Sequence, residues 1–122
     1  MLDNNKCILA YNFPEFELNI LKNGNIKVIE VSSEMIEMTI EDILGGLRFK
    51  KFNPSPIKEK TILFNNFTDD ELQPHIKVIR QKIKGGLLAV VTPTTIDWKF
   101  SYLVEHLIEE REWFLNQQKG RS

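Results

Sequence analysis

The stretch from Thr61 to Trp98 constrains the fold more than any other part of the sequence, because apolar strand patterns alternate there with a capped helix pattern. The two strand patterns are TILFNNF (61–67) and GLLAVV (86–91). Thr68-x-x-Glu71 between them is a capping box, which predicts where a helix begins. Strands that alternate with helices indicate an α/β fold in which helical crossovers join parallel strands.

The first half of the chain looks like a shorter copy of this stretch. CILAYNF (7–13) aligns with TILFNNF (61–67) at an offset of 54 residues (61 − 7), and NIKVIEV (25–31) aligns with the strand that ends at Val91 at an offset of 60 (91 − 31). The register therefore holds on both sides of a single change in helix length. This pattern predicts a duplicated strand-helix-strand-helix unit.

The length of 122 residues fits one domain. We therefore predict a single domain, residues 1–122, built of two repeats at about 6–47 and 61–118. A basic connector, 48–60, contains Pro54 and Pro56 and joins the repeats. Its charge and Pro-x-Pro spacing also suit a recognition segment or an anion patch, but a polar, Pro-rich stretch between two units favours a solvated connector.

Three local patterns predict details of the elements. Lys27 and Glu30 interrupt the apolar strand 25–31, which predicts an edge strand. Pro74, six residues after the Thr68 cap, predicts either a kinked helix or a helix that restarts there. The last helix is expected to begin with Asp97 as its cap and to end near Gln118.

The two halves can form one sheet if they pair through their first strands. The strand order is then 2-1-3-4, with a pseudo-two-fold axis along the strands. We predict a mostly parallel four-stranded sheet with helices on both faces.

Polar residues follow the predicted strands and mark a candidate ligand site. In an open parallel sheet, ligands bind at the carboxyl ends of strands where the strand order changes direction. That crevice would lie between strands 1 and 3. The predicted ligand-binding residues are Tyr11, Asn12, Ser32, Asn65, Asn66, Thr92 and Thr94. Helix caps and turns favour the same residue types, so these residues also fit a purely structural role.

The sequence gives little support to catalysis. Its single cysteine, Cys7, lies in an apolar run, and its two histidines, His75 and His106, fall in helix patterns. Neither a Gly-x-Gly-x-x-Gly nor a Gly-Lys-Ser/Thr phosphate loop is present. We therefore predict no catalytic residue, no metal site and no cofactor.

Composition and charge limit the partners. The net charge of −1 and the pI of about 6.1 provide no field that would attract nucleic acid. No apolar run approaches the roughly 18 residues of a membrane span, and the start MLDNNK lacks the basic and apolar regions of a signal peptide. These features predict a cytoplasmic protein that binds neither nucleic acid nor a membrane.

The segments ILFNNFTDDEL and AVVTPTTIDWKFSYLVEHLIEE resemble the bacterial family known as domain of unknown function 3783. The resemblance covers about residues 61–110 and depends most on Asn66-Phe67, on the acidic helical turn that ends at Leu72, and on Val91 to Thr94 followed by Trp98. Pro74 departs from the uninterrupted helix that the family pattern implies. The family has no established activity, so the resemblance implies a fold and assigns no catalytic residue.

Three functions stay open at this level. The first is a non-catalytic binding or regulatory module for a small polar ligand or a protein partner. The second is a structural dimerisation unit, in which a homodimer forms through strand 86–91 or through the last helix. The third is a small hydrolase or transferase with a site at the strand ends.

Overall fold

A computed structural model describes residues 6–24, 26–47 and 56–119 of the chain. The predicted connector is therefore described only from residue 56 onward, and the basic residues and Pro54 before that point lie outside the described residues. The elements follow one another along the chain as β1 (Cys7–Tyr11), α1 (Glu15–Lys22), β2 (Lys27–Val31), α2 (Ile40–Leu44), β3 (Thr61–Asn65), α3 (Asp69–Lys82), β4 (Leu87–Val90), a 3₁₀ turn (Thr95–Asp97) and α4 (Phe100–Lys119).

The four strands form one sheet in the order β2-β1-β3-β4, as expected if the halves pair through their first strands. Strands β1 and β2 are parallel, and so are β3 and β4, but β1 and β3 are antiparallel. The prediction of a mostly parallel sheet is therefore wrong, and the sheet is mixed. The helical crossovers fix the direction of strands within each half. The buried, apolar β1 and β3 carry no pattern that fixes their relative direction.

The antiparallel pair changes how the two halves are related. Leu9 lies opposite Leu63, and these residues are separated by the 54-residue offset of the sequence alignment. Two halves that pair in this way are related by a rotation about an axis perpendicular to the sheet. The predicted axis along the strands is therefore wrong.

A second contact between the halves repeats this relation. Thr39 forms an antiparallel bridge with Lys99, and this pair is separated by the 60-residue offset. The amide of Ile40 donates to the carbonyl of Trp98, and the amide of Phe100 donates to the carbonyl of Met38, both at 2.9 Å. Backbone segments before α2 and α4 thus hold the halves together above the sheet.

Helices cover both faces of the sheet, as predicted. Alternate residues of a strand point to opposite faces, so β1 and β3 contribute to two separate cores. One core packs α1 and α3 against the sheet and contains Ile8, Ala10, Leu18, Leu21, Ile62, Phe64, Leu72, Ile79 and Ile83. The other packs α2 and α4 and is centred on Leu9, Tyr11, Met35, Ile36, Ile40, Ile43, Leu63, Phe100, Leu103 and Val104.

The helix start predicted at Thr68 is confirmed in α3, and α2 begins at a similar cap. The Thr39 hydroxyl accepts from the amide of Asp42 at 3.1 Å. Thr68 and Glu71 form both bonds of a capping box. Helix α3 continues through Pro74, so the alternative in which a new helix starts there is wrong.

The start of the last helix differs from the prediction. Thr92 and Thr95 cap one another's amides at 2.9 and 3.0 Å and close a short turn that ends at Asp97. Trp98 and Lys99 are then needed for the extended bridge to the first half. Helix α4 consequently begins at Phe100, and Asp97 is not its cap.

Candidate functional site

The antiparallel pair places the predicted site residues at two opposite ends of the sheet. Tyr11 lies opposite Thr61, at the start of β3, and Asn65 lies opposite Cys7, at the start of β1. The prediction of one crevice shared by the carboxyl ends of β1 and β3 is therefore wrong. Tyr11, Asn12 and Ser32 share one end, whereas Asn65, Asn66, Thr92 and Thr94 follow the strands that finish at the other end.

At the first end, the side chains of Tyr11 and Asn12 hold the residues that lead into β3. The Tyr11 hydroxyl donates to the carbonyl of Ile57, and the Asn12 amide group donates to the carbonyl of Lys58 at 2.6 Å. Burial raises the pKa of Tyr11, so its phenol stays a donor at neutral pH. A cavity of about 510 Å³ lies beside these contacts, and Tyr11, Asn12 and Ser32 are among the residues that line it.

At the second end, the polar side chains mostly serve the backbone or each other. Asn65 is buried and hydrogen-bonds with the thiol of Cys7. Burial raises the pKa of that thiol, and the bond from Asn65 opposes the rise only in part. Cys7 therefore lacks the thiolate character of a catalytic nucleophile. Thr92 is engaged with Thr95 in the turn described above.

The Asn-Phe pairs of the two halves have a conformational origin. Asn12 and Asn66 both have a φ of 65°, and they are the non-glycine residues with positive φ in the part of the chain that the structure describes. Asparagine tolerates this left-handed conformation better than most residues. Each asparagine turns the chain from a strand into the loop that precedes a helix.

Sequence reasoning missed two equivalent ion pairs that cross between the halves. The ammonium of Lys60, just before β3, lies 2.6 Å from a carboxylate oxygen of Glu17 in α1. Lys6, just before β1, pairs in the same way with Glu71 in α3. Glu17 is buried, whereas Glu71 is half-exposed. Burial makes the first pair the more important of the two for stability.

An aromatic ring accompanies each ion pair. The ammonium of Lys6 lies 5.6 Å from the centre of the Phe67 ring, and that of Lys60 lies 5.9 Å from the centre of the Phe13 ring. The lysines, the phenylalanines and the glutamates are each 54 positions apart, so extending the repeat alignment by a few residues would have found them.

The geometry at the strand ends can stabilise the fold but offers little chemistry. In residues 6–24, 26–47 and 56–119, no three His, Cys, Asp or Glu side chains are grouped so that they could hold a metal ion. A ring nitrogen of His75 lies 2.8 Å from the carbonyl of Glu71, and one of His106 lies 3.0 Å from a carboxylate oxygen of Glu110. Each of these partners is four residues away on the same helix.

The two outer edges of the sheet differ sharply in chemistry. On β2, Lys27 and Glu30 are exposed, and the ammonium nitrogen of Lys22 lies 3.5 Å from a carboxylate oxygen of Glu30. Around β4, by contrast, residues 85–96 carry no charge, and Val90 is 39% exposed. Both strands occupy the edge positions that the sequence predicted.

Helix α4 extends the apolar surface beside β4. All its residues from 109 to 117 are exposed, among them Trp113 (62%), Phe114 (60%) and Leu115 (51%). A groove of about 410 Å³ separates this part of α4 from the start of β4, and it is lined by Arg80, Gly86, Leu87, Leu88, Leu107, Glu110, Arg111, Phe114 and Leu115. We call the edge of β4 together with α4 residues 109–117 the β4–α4 surface.

Residues 60–114 match the sequence model of a family described as Domain of unknown function (DUF3783). The match begins one residue before β3 and ends within α4, so it covers the second half of the chain and confirms the resemblance found there. Neither the curated proteins nor the solved structures contain a match to the chain. Among the described helices, none is long and apolar enough to cross a membrane.

Proposed function

We propose that this protein is a non-catalytic module that binds a protein partner through the β4–α4 surface. The observation that carries the proposal is the contrast between the two edges of its sheet. An exposed strand edge offers unpaired backbone groups to other chains, and folded proteins commonly protect such edges with charged side chains. Strand β2 has that protection in Lys27 and Glu30, whereas β4 lacks it.

The length of α4 supports the same surface. Helix α4 has 20 residues, whereas α2, at the corresponding place in the first half, has five. Twenty residues span about 30 Å, and residues 109–117 lie beyond the part that the core covers. A solvated helix end has no need of adjacent Trp113, Phe114 and Leu115, and apolar residues exposed side by side commonly mark an interaction site.

The polar residues at the strand ends support a binding role more than a catalytic one. Tyr11 and Asn12 bond to the chain that leads into β3, and Thr92 bonds to Thr95. A catalytic centre requires a nucleophile or an acid–base group that is oriented toward a substrate. The bonds made by these side chains are instead those of turns and caps.

A duplication of one strand-helix-strand-helix unit would explain why, in the part of the chain that the structure describes, this surface belongs to the second half alone. The equivalent ion pairs, the two left-handed asparagines and the contacts at offsets of 54 and 60 residues support this origin. After such a duplication the two outer strands and the two final helices could diverge. In this proposal the second copy kept an apolar edge and a long helix for a partner.

Site-specific photo-crosslinking tests the proposal in cells that make the protein. A photoreactive phenylalanine analogue is placed at Val90 or at Trp113, and the matched control carries it at Lys27 on the other edge. We expect covalent protein adducts from positions 90 and 113 and few from position 27. Equal yields from all three positions, or none from any, would contradict the proposal.

A small polar ligand is the second candidate function, because three predicted site residues line one cavity. Tyr11, Asn12 and Ser32 meet at the cavity of about 510 Å³ beside β1 and β2. A ligand at about a hundred times its dissociation constant should add roughly 2.7 kcal/mol to the free energy of unfolding. Thermal shift against a panel of metabolites tests this, with Asn12→Gly and Ser32→Ala as variants. A compound that stabilises the parent and both variants equally would bind elsewhere.

A further inference from the structure

We infer that the partner on the β4–α4 surface is a second copy of this chain. The β4 strands of the two copies pair antiparallel about a two-fold axis at Ala89. This inference rests on the proposed function and specifies its partner. The result is a continuous sheet of eight strands. Each copy contributes the same surface, as a two-fold interface requires.

The backbone of β4 is self-complementary in this arrangement. The amides of Leu87 and Val91 donate to the carbonyls of Lys60 and Phe64, at 2.8 and 2.9 Å. In a parallel ladder the intervening residues turn their N–H and C=O groups to the other side, so those of Leu88 and Val90 point outward. An axis at Ala89 places Leu88 of one copy opposite Val90 of the other. Two such pairs exchange their hydrogen bonds on either side of Ala89.

Charge favours a second copy over an arbitrary partner strand. Residues 85–96 carry no charge, so antiparallel self-pairing brings no like charges together and buries none. An axis at Ala89 pairs Gly86 with Thr92, which keeps both Lys84 and Pro93 outside the ladder. At the other edge, self-pairing of β2 would instead place exposed Lys27 and Glu30 within the new ladder.

The far end of α4 reaches the partner in this geometry. Leu107 and Leu87 both line the groove, and Phe114 lies seven residues further along α4, about 10 Å at 1.5 Å per residue. That distance equals about three residues of a strand, measured back from Leu87 toward Lys84. With the axis at Ala89, the turn of the second copy that begins at its Thr92 lies beside Lys84, and therefore at the same height along the strands as Phe114. Phe114 and Leu115 then pack on an uncharged turn of the second copy.

Exposed apolar side chains supply part of the area that a dimer interface requires. A buried aromatic side chain covers roughly 150–250 Å². Trp113 and Phe114 are about three-fifths exposed, so together they offer roughly 200–300 Å². Leu115, Val90 and the paired backbones of β4 add to this, which brings each copy toward the roughly 800 Å² of a typical interface.

Disulfide trapping of the whole chain tests the register directly. In Ala89→Cys the two cysteines form a non-hydrogen-bonded antiparallel pair, whose Cα atoms lie about 4.5 Å apart. This distance is within the range that a disulfide bridges. We expect oxidation to trap a covalent dimer on the order of tenfold faster than in the control Glu30→Cys, whose cysteine is exposed on the other edge and lies opposite Ala10. The parent chain, with only the buried Cys7, provides the background rate. Fastest trapping in Leu88→Cys instead would overturn the axis at Ala89.

Light scattering on the parent and on Val90→Lys separates this inference from the proposed function. We expect a dimer for the parent and a monomer for the variant, because the substitution places two lysines within the paired edge. A monomeric parent with no trapped Ala89→Cys dimer would overturn self-pairing. If photo-crosslinks from Val90 then still formed with other proteins, the proposed function would stand with a different partner. If no adduct formed at all, both would fail.

Discussion

The two halves of this molecule agree in what holds the fold together and differ in what they present to solvent. Each has an asparagine in the left-handed conformation after its first strand and a glutamate that pairs with a lysine from the opposite half. The outer strands differ, since β2 is charged and β4 is apolar, and the last helices differ fourfold in length. The shared features maintain the fold, and the differing ones are those on which the proposed function rests.

The largest expected effect concerns the centre of the sheet, where the halves should behave alike. Leu9 and Leu63 are fully buried and lie opposite each other. We expect Leu9→Ala and Leu63→Ala each to lower the free energy of unfolding by about 3 kcal/mol, through lost burial and the cavity left behind. Urea denaturation measures both. A loss below about 1 kcal/mol in only one of them would break the equivalence of the halves.

Substitutions in the two ion pairs should affect stability differently in the two halves, because burial differs between the equivalent glutamates. Glu17 is 5% exposed and paired with Lys60, so Glu17→Gln should cost about 2 kcal/mol. Glu71 is half-exposed, and glutamine at its position keeps the capping box, so Glu71→Gln should cost less than about 1 kcal/mol. Urea denaturation of the two variants side by side provides the measurement. Equal losses would show that burial does not distinguish the pairs.

The left-handed asparagines should again respond alike. Asn12→Ala and Asn66→Ala each place a residue with no compensating side-chain bond at a φ of 65°, which costs about 1 kcal/mol. Glycine adopts this conformation freely, so Asn12→Gly and Asn66→Gly should cost less than the alanine variants. Thermal denaturation of all four variants provides the test. Glycine variants less stable than their alanine counterparts would show that side-chain contacts, and not the backbone, determine these positions.

The smallest expected effect is the pH dependence of the ion pair between Glu59, just before β3, and Arg111 in α4. A hydrogen bond from Arg111, at 2.7 Å, holds the pKa of Glu59 below its ordinary value of 4.5. The pair therefore stabilises the folded chain above about pH 4.5, and this contribution is lost as pH falls through the lowered pKa. Because both side chains are partly exposed, we expect only a few tenths of a kcal/mol.

Urea denaturation at pH 7 and at pH 3 measures this contribution in the parent and in Arg111→Gln. The difference between the two proteins should be smaller at pH 3 than at pH 7. An undiminished difference at pH 3 would mean that Arg111 stabilises α4 through packing and not through Glu59.

Much of the fold could be predicted because local patterns determine it. The cap at Thr68 and both edge strands follow from short stretches of sequence. The relative direction of β1 and β3 could not be predicted in this way. Both are buried along their whole length and are apolar except for Thr61 and Asn65 at the ends of β3, so neither direction is favoured by burial.

The relative direction of β1 and β3 determines whether the predicted site residues lie close together. With β1 and β3 antiparallel, Asn12 and Asn66 lie at opposite ends of the sheet. Their roles as ligand-binding residues stay a prediction, now for two separate places. The start of α4 was misplaced because Asp97 was interpreted as a helix cap, whereas it ends the 3₁₀ turn and is followed by the bridge between Lys99 and Thr39.

Hydrogen exchange of the two edge strands, followed by mass spectrometry or NMR at low and high protein concentration, tests the contrast between the edges most directly. We expect the amides of Leu88 and Val90 to exchange more slowly as concentration rises, because pairing with a second β4 protects them. Exchange along the outer edge of β2 should not depend on concentration. If the exchange rates of Leu88 and Val90 were as independent of concentration as those of β2, the difference between Lys27–Val31 and Leu87–Val90 would have no role in assembly.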